Sequence, residues 1–233
     1  MEKDENYQQI LNGLKNHSSI KQEIYRTTCS VFQQFKAQLK DLAHAMADDF
    51  KNIDPSVEIE YVDVSKFECR IRFGGDVLVF TMHTNIFTFP LEHPIFKSNY
   101  VKEDRSRSYC GIIHIHNFLS DSLKYNRIND IGYLLGRVFV NKERHFYTEG
   151  KSQLGFLFDN LVKEEITDEN ISQIIKIAIN YCFEFELQVP PFNEVDEITL
   201  IQKQLEFANS GYQTGKLIGY KFKAQQESQE TIM

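Results

Sequence analysis

The chain has 233 residues, of which 42% are hydrophobic and 25% charged, a composition that excludes intrinsic disorder and leaves room for one large domain. Its net charge of −7 argues against indiscriminate adhesion to nucleic acid or membrane. No apolar run approaches the ~18–20 residues of a membrane span, and the four cysteines (29, 69, 110, 182) fit no CxxC spacing. Such scattered thiols among apolar neighbours point to reduced, buried side chains and a cytoplasmic address.

Residues 4–15 suit a short helix. From Ile20 the apolar positions Ile24, Thr28, Val31, Phe35, Leu39, Leu42, Met46 and Phe50 follow steps of three and four, with no Pro or Gly before Pro55. This predicts one long amphipathic helix. At 1.5 Å per residue it reaches roughly 50 Å, more than one face of a small sheet requires. Its partner is either the C-terminal helices of the same chain or a second copy, since the stripe follows a/d spacing.

After Pro55, the alternation of Val57, Ile59 and Tyr61 with Glu58 and Glu60 predicts a strand with one wet face. Phe67, Cys69, Ile71 and Phe73 alternate with Glu68, Arg70 and Arg72 before Gly74-Gly75, which predicts a tight hairpin into residues 76–82. In that register Ile71 faces Leu78 and Cys69 faces Phe80. Asn85–Phe89 suggests a further strand, and residues 91–107 a long polar connection.

Tyr109–Phe118 is rich in β-branched and aromatic residues and predicts the central strand, with both faces covered. A second polar connection follows at 120–130. Tyr133–Val140 is expected to be a strand, with a helix from Asn129 to Val140 as the competing assignment, and His145–Thr148 its return. Thr167 is an N-cap for a helix whose stripe runs Ile171, Ile174, Ile175, Ala178, Tyr181, Cys182 and Phe185. A last helix begins near Glu194 and either ends at Asn209-Ser210-Gly211 or continues past Gly215 and Gly219, where three glycines would cost about 1 kcal/mol each relative to Ala.

The expectation is one α+β domain: helical residues 1–54, a mostly antiparallel sheet of six to eight strands at 55–160, two C-terminal helices at 166–223, and a flexible tail at 224–233.

Three constellations bear on chemistry. His114 and His116 share one strand face, with Cα atoms about 6.6 Å apart, so they could serve as a catalytic pair or share a metal if another residue supplied a third ligand. Cys110 is on the same face, but about 13 Å of strand separates it from His114, too far for a thiol–imidazole pair. Gly211 to Lys216 is one residue short of a phosphate-binding loop and lacks the following Ser/Thr, so it is not an NTPase signature.

The middle of the chain is locally basic: between Lys97 and Lys151 ten Lys/Arg stand against six Asp/Glu. Arg105, Arg107, Lys124, Tyr125, Arg127, Arg137 and Arg144 are the candidate ligand-binding residues, because guanidinium groups fork phosphate oxygens and tyrosines stack on bases. They act together only if the strand order brings their connections to one edge. The sequence therefore favours a non-enzymatic, self-associating binding or regulatory module for an anionic ligand, a nucleotide, a nucleic acid or an acidic protein, with no cofactor and no membrane contact. The alternatives are an enzyme centred on His114 and His116, metal-dependent or not, and an oligomeric scaffold.

Overall fold

A computed structural model describes residues 4–204, apart from 164, 185–188, 190 and 202. Asp4 accepts a hydrogen bond from the Tyr7 amide and so caps α1 (Glu5–Gly13). A π-helical stretch, Leu14–Ser19, joins α1 to α2 (Ile20–Phe50), the long helix that the 3–4 spacing predicts. Ile24, Thr28, Val31, Phe35, Leu39 and Ala43 are buried along it, so this stretch of the stripe belongs to the chain's own core. Its partners are the sheet and the C-terminal helix Asp168–Phe183.

The sheet is a six-stranded antiparallel meander in sequence order: β1 (Ile59–Ser65), β2 (Glu68–Phe73), β3 (Asp76–Met82), β4 (Gly111–Leu119), β5 (Tyr133–Val140) and β6 (Phe146–Gly150). Ile71 pairs with Leu78 and Cys69 with Phe80, the register that the Gly-Gly turn dictates. Gly74 takes φ +60°, the positive value that the first turn residue of a type II′ hairpin needs. Tyr133–Val140 is a strand, not the alternative helix.

One face of the sheet is backed by helices. Cys69, Ile71, Leu78, Phe80, Met82, Ile113, Ile115, Val138 and Val140 point into a core closed by α2 and α5 (Asp168–Phe183). The contact is closest at Gly111, where a Cβ would lie 2.1 Å from Thr28 Oγ1, so α2 rests directly on β4. Lys36, only 6% exposed, reaches from α2 to Asp63 and the Ser65 carbonyl, at the irregularity in β1. The capping box at Thr167 and Asn170 starts α5 as its sequence suggests.

Two expectations are corrected. Asn85–Phe89 is not a strand: it makes a single bridge, Phe87 to Cys110, and then leaves the sheet edgewise to lay Phe89 against Phe139 and Tyr147. Its β-prone residues cover a face instead of extending a ladder. β4 is central, but its far face is only partly covered, because His114, His116 and Phe118 remain half-buried. The connection at 91–107 contains the short helix α3 (Asn99–Glu103) and two 3₁₀ turns, and α4 (Ser120–Lys124) begins the connection at 120–132. A short helix α6 (Phe192–Val195) follows α5. Residues 196–199, within the second C-terminal helix expected from near Glu194, are not helical, and most of the remaining expected span, with glycines 211, 215 and 219, and the tail fall outside the described residues. No helix among the described residues is long and apolar enough to cross a membrane.

Candidate functional site on the outer face of β4

Strand alternation sends Cys110, Ile112, His114, His116 and Phe118 to the face of β4 away from the helices. The two halves of this outer face differ. Over Cys110 and Ile112 the 87–109 connection lays a second apolar cluster, in which Ile95, Val101, Phe139, Tyr147 and Leu161 are buried. The Cys110 thiol is fully buried there, and desolvation pushes its pKa well above the usual range, so it is inert.

Beyond Ile112 the face opens onto a row of rings. Phe87 stands 4.7 Å from His83, His83 6.5 Å from His114, His114 5.8 Å from His116, and His116 6.4 Å from Phe118, centroid to centroid. The row ends where Gly132 crosses Phe118, so closely that a Cβ on Gly132 would fall 2.1 Å from the ring. Partial burial lowers the pKa of both His114 and His116, and for His114 the nearby His116, Arg137 and His83 act in the same direction. Both imidazoles are neutral at pH 7.

Arg137 is the register partner of His114 on β5, lies 5.3 Å from the Phe139 ring centroid, and pairs with Glu149 on β6. His83 accepts a hydrogen bond from the Asn85 amide at Nδ1 (3.0 Å), which leaves Nε2 as the nitrogen that carries the ring proton. A metal would need that nitrogen's lone pair. Among the described residues no group of three His, Cys, Asp or Glu could hold a metal ion.

The strand order separates the basic residues. Arg105, Arg107 and Arg144 lie at the end of the sheet where β4 starts, and Lys124, Tyr125 and Arg127 at the end where it finishes. Arg137 lies between them. At the first end Arg107, Lys142 and Arg144 are engaged in holding the fold. Arg107 stacks 4.4 Å over Tyr100 and pairs with Glu143 and Glu103. Arg144, at φ +62°, donates to Gln34 Oε1 and to the Ile166 carbonyl, tying the β5–β6 turn to α2 and to the approach to α5. Lys142 pairs with Asp104, and Arg105 lies 5.8 Å from the Phe96 ring centroid. At the second end Lys124 and Tyr125 are exposed, and Lys124 and Arg127 each stand 5.4 Å from the Tyr125 ring.

Sequence reasoning placed His114, His116 and Phe118 on one strand face and missed the extension of the row to His83 and Phe87. That row depends on pairing Thr81 with His114. The two strands are joined by a long connection, so no turn fixes their register in the sequence. It also missed Asn141, a fully buried polar side chain. Its Oδ1 accepts from the Glu143 and His145 amides, while Nδ2 donates to Tyr100 Oη and the Arg107 carbonyl. Compared with family models, with curated proteins and with solved structures, the chain matches none.

Proposed function

We propose that the chain is a non-enzymatic binding module whose ligand, a nucleotide or a single nucleic-acid strand, lies along the outer face of β4. The observation that carries this reading is the row Phe87, His83, His114, His116 and Phe118 on an open sheet face, with Arg137 beside it. Planar bases stack on such rings with little regard to sequence, at about 1–3 kcal/mol per base. The His83 Nε2 proton adds a hydrogen-bond donor. Arg137, Lys124 and Arg127 supply cations for phosphates, and Tyr125 a further ring beyond Phe118. Arg107 contributes by holding the connection that closes the opposite half of the face, and Arg144 by tying the β5–β6 turn to α2. The four free thiols suit a reducing, cytoplasmic compartment.

The test is fluorescence anisotropy with short labelled DNA and RNA oligonucleotides, competed by mononucleotides and by an acidic protein. With about three phosphate contacts, log K should fall against log[salt] with a slope of roughly −2. His114→Ala/His116→Ala should remove the stacking contribution, and Arg137→Glu should weaken binding and flatten the salt dependence. Binding should tighten as the pH falls below 6.5 and the imidazoles gain protons, adding positive charge to the face. Absence of salt-sensitive binding to any nucleotide or oligonucleotide would remove the basis of this reading, and selective binding of the acidic protein would replace the ligand class.

A further inference from the structure

Residues 5–19 extend the long helix away from the sheet. Lys21, 5.6 Å from the Tyr109 ring, marks the region where the helix leaves the end of β4. Every residue from Asp4 to Ser19 is exposed except Tyr7, which is half-buried, and the first fully buried side chain is Ile24. At 1.5 Å per residue the extension is roughly 22 Å long.

This extension is amphipathic without a partner. Tyr7, Ile10, Leu11 and Leu14 share one side at helical spacing, and Ile10, Leu11 and Leu14 are 60%, 41% and 52% exposed. The π-helical stretch at Leu14–Ser19 widens the turn and so breaks the phase between this stripe and the core stripe of α2. The apolar residues of α1 therefore do not simply prolong the surface that α2 buries.

We propose that this stripe packs against the same stripe of a second copy, with the two helices antiparallel. The spacing 7, 10, 11, 14 is symmetric about its midpoint. An antiparallel two-fold places Ile10 against Leu11 of the partner and Tyr7 against Leu14, so all four apolar positions meet apolar positions, as an isologous interface requires. The charges select the same direction. Asp4 and Glu5 lie at one end of the extension and Lys15 at the other. Antiparallel packing sets acid against base at both ends, whereas parallel packing would set Glu5 against Glu5 and Lys15 against Lys15. The helix dipoles also oppose each other only in the antiparallel arrangement. The ligand reading above plays no part in this inference.

Sedimentation of the full chain over a concentration series tests the pairing. A reversible monomer–dimer equilibrium is expected, and Leu11→Asp/Leu14→Asp should raise its dissociation constant at least tenfold while leaving the thermal midpoint of the body unchanged, since neither residue touches the core. Cysteine cross-linking tests the direction. Leu11→Cys, near the two-fold, should cross-link to itself. Leu14→Cys should not, but should cross-link to Tyr7→Cys when the two variants are mixed. A strict monomer, a dimer indifferent to the double substitution, or efficient self-cross-linking of Leu14→Cys would each overturn the proposal.

Discussion

Residues 91–109 and 120–132 approach β4 from opposite ends, and each sets cations over a tyrosine ring: Arg107 over Tyr100, Lys124 and Arg127 over Tyr125. In the first connection the acids are spent on the bases. Glu103 and Glu143 take Arg107, Asp104 takes Lys142, and Tyr100 donates its hydroxyl to Glu143 while stacking 4.9 Å from His145. In the second, Lys124 and Tyr125 stand exposed, as do Ile128 and Ile131. A count of charges along the chain gives both connections the same character. Arg107 and Lys142 are committed to ion pairs in the first, whereas Lys124 and Tyr125 stand exposed in the second, and this is why the ligand reading looks to the second end of the face.

The largest effect expected from breaking the first connection is at Asn141. Its side chain is fully buried, satisfies two backbone N–H groups and holds Tyr100. Asn141→Ala leaves those groups unsatisfied, and a loss of about 3 kcal/mol is expected. For a domain of this size that lowers Tm by roughly 6–12 °C, measurable by calorimetry. Tyr100→Phe keeps the ring and removes only the hydroxyl, so about 1–2 kcal/mol is expected from the same measurement. If Asn141→Ala melts with the wild type, the first connection does not hold the fold.

How much of this was legible beforehand follows from which interactions are local. The β2–β3 register could be read because Gly74-Gly75 fixes it within two residues, and the span of α2 because its stripe repeats without interruption. The Thr167 cap was legible for the same reason. The course of 83–109 was not, since whether Asn85–Phe89 pairs or crosses the face depends on Phe139 and Tyr147, some 50 residues further on. The candidate site was half legible. His114 and His116 share a face by strand alternation alone, but adding His83, Phe87 and Arg137 requires three strands in register. The split of the basic residues between two ends follows from the strand order, which hydrophobic spacing does not encode.

Acid separates the two regions further. Asp104 is held at about 2 by hydrogen bonds from Lys142 and Ser106. Its folded value lies below its unfolded one, so its contribution is present above about pH 4 and lost as the pH falls toward 2. The same sign applies to His114 and His116, whose values are lowered from 6.5 by burial: their contribution is present above 6.5 and is lost as the pH falls below it. Stability measured by urea denaturation should therefore decline in two stages. His114→Gln/His116→Gln should flatten the upper stage and Asp104→Asn the lower, and an upper stage unchanged in the histidine variant would show that the open face is not its source.

The smallest stability effect is expected in the second connection, and it is the one that sharpens the comparison most. Lys124→Ala and Tyr125→Ala remove exposed side chains, so each should change the free energy of unfolding by no more than about 0.5 kcal/mol. Loss of a side chain that only contacts a ligand leaves the melt alone and lowers affinity, whereas loss of one that props the loop does the reverse. Gly132 supplies the control. Gly132→Ala would drive a methyl into the Phe118 ring and lift the connection from the end of the row without removing a charge. If Lys124→Ala lowered Tm as much as Tyr100→Phe, the second connection would be structural like the first. A melt preserved in Lys124→Ala and Tyr125→Ala, together with weaker oligonucleotide binding in both and in Gly132→Ala, would place its role in contact with the ligand.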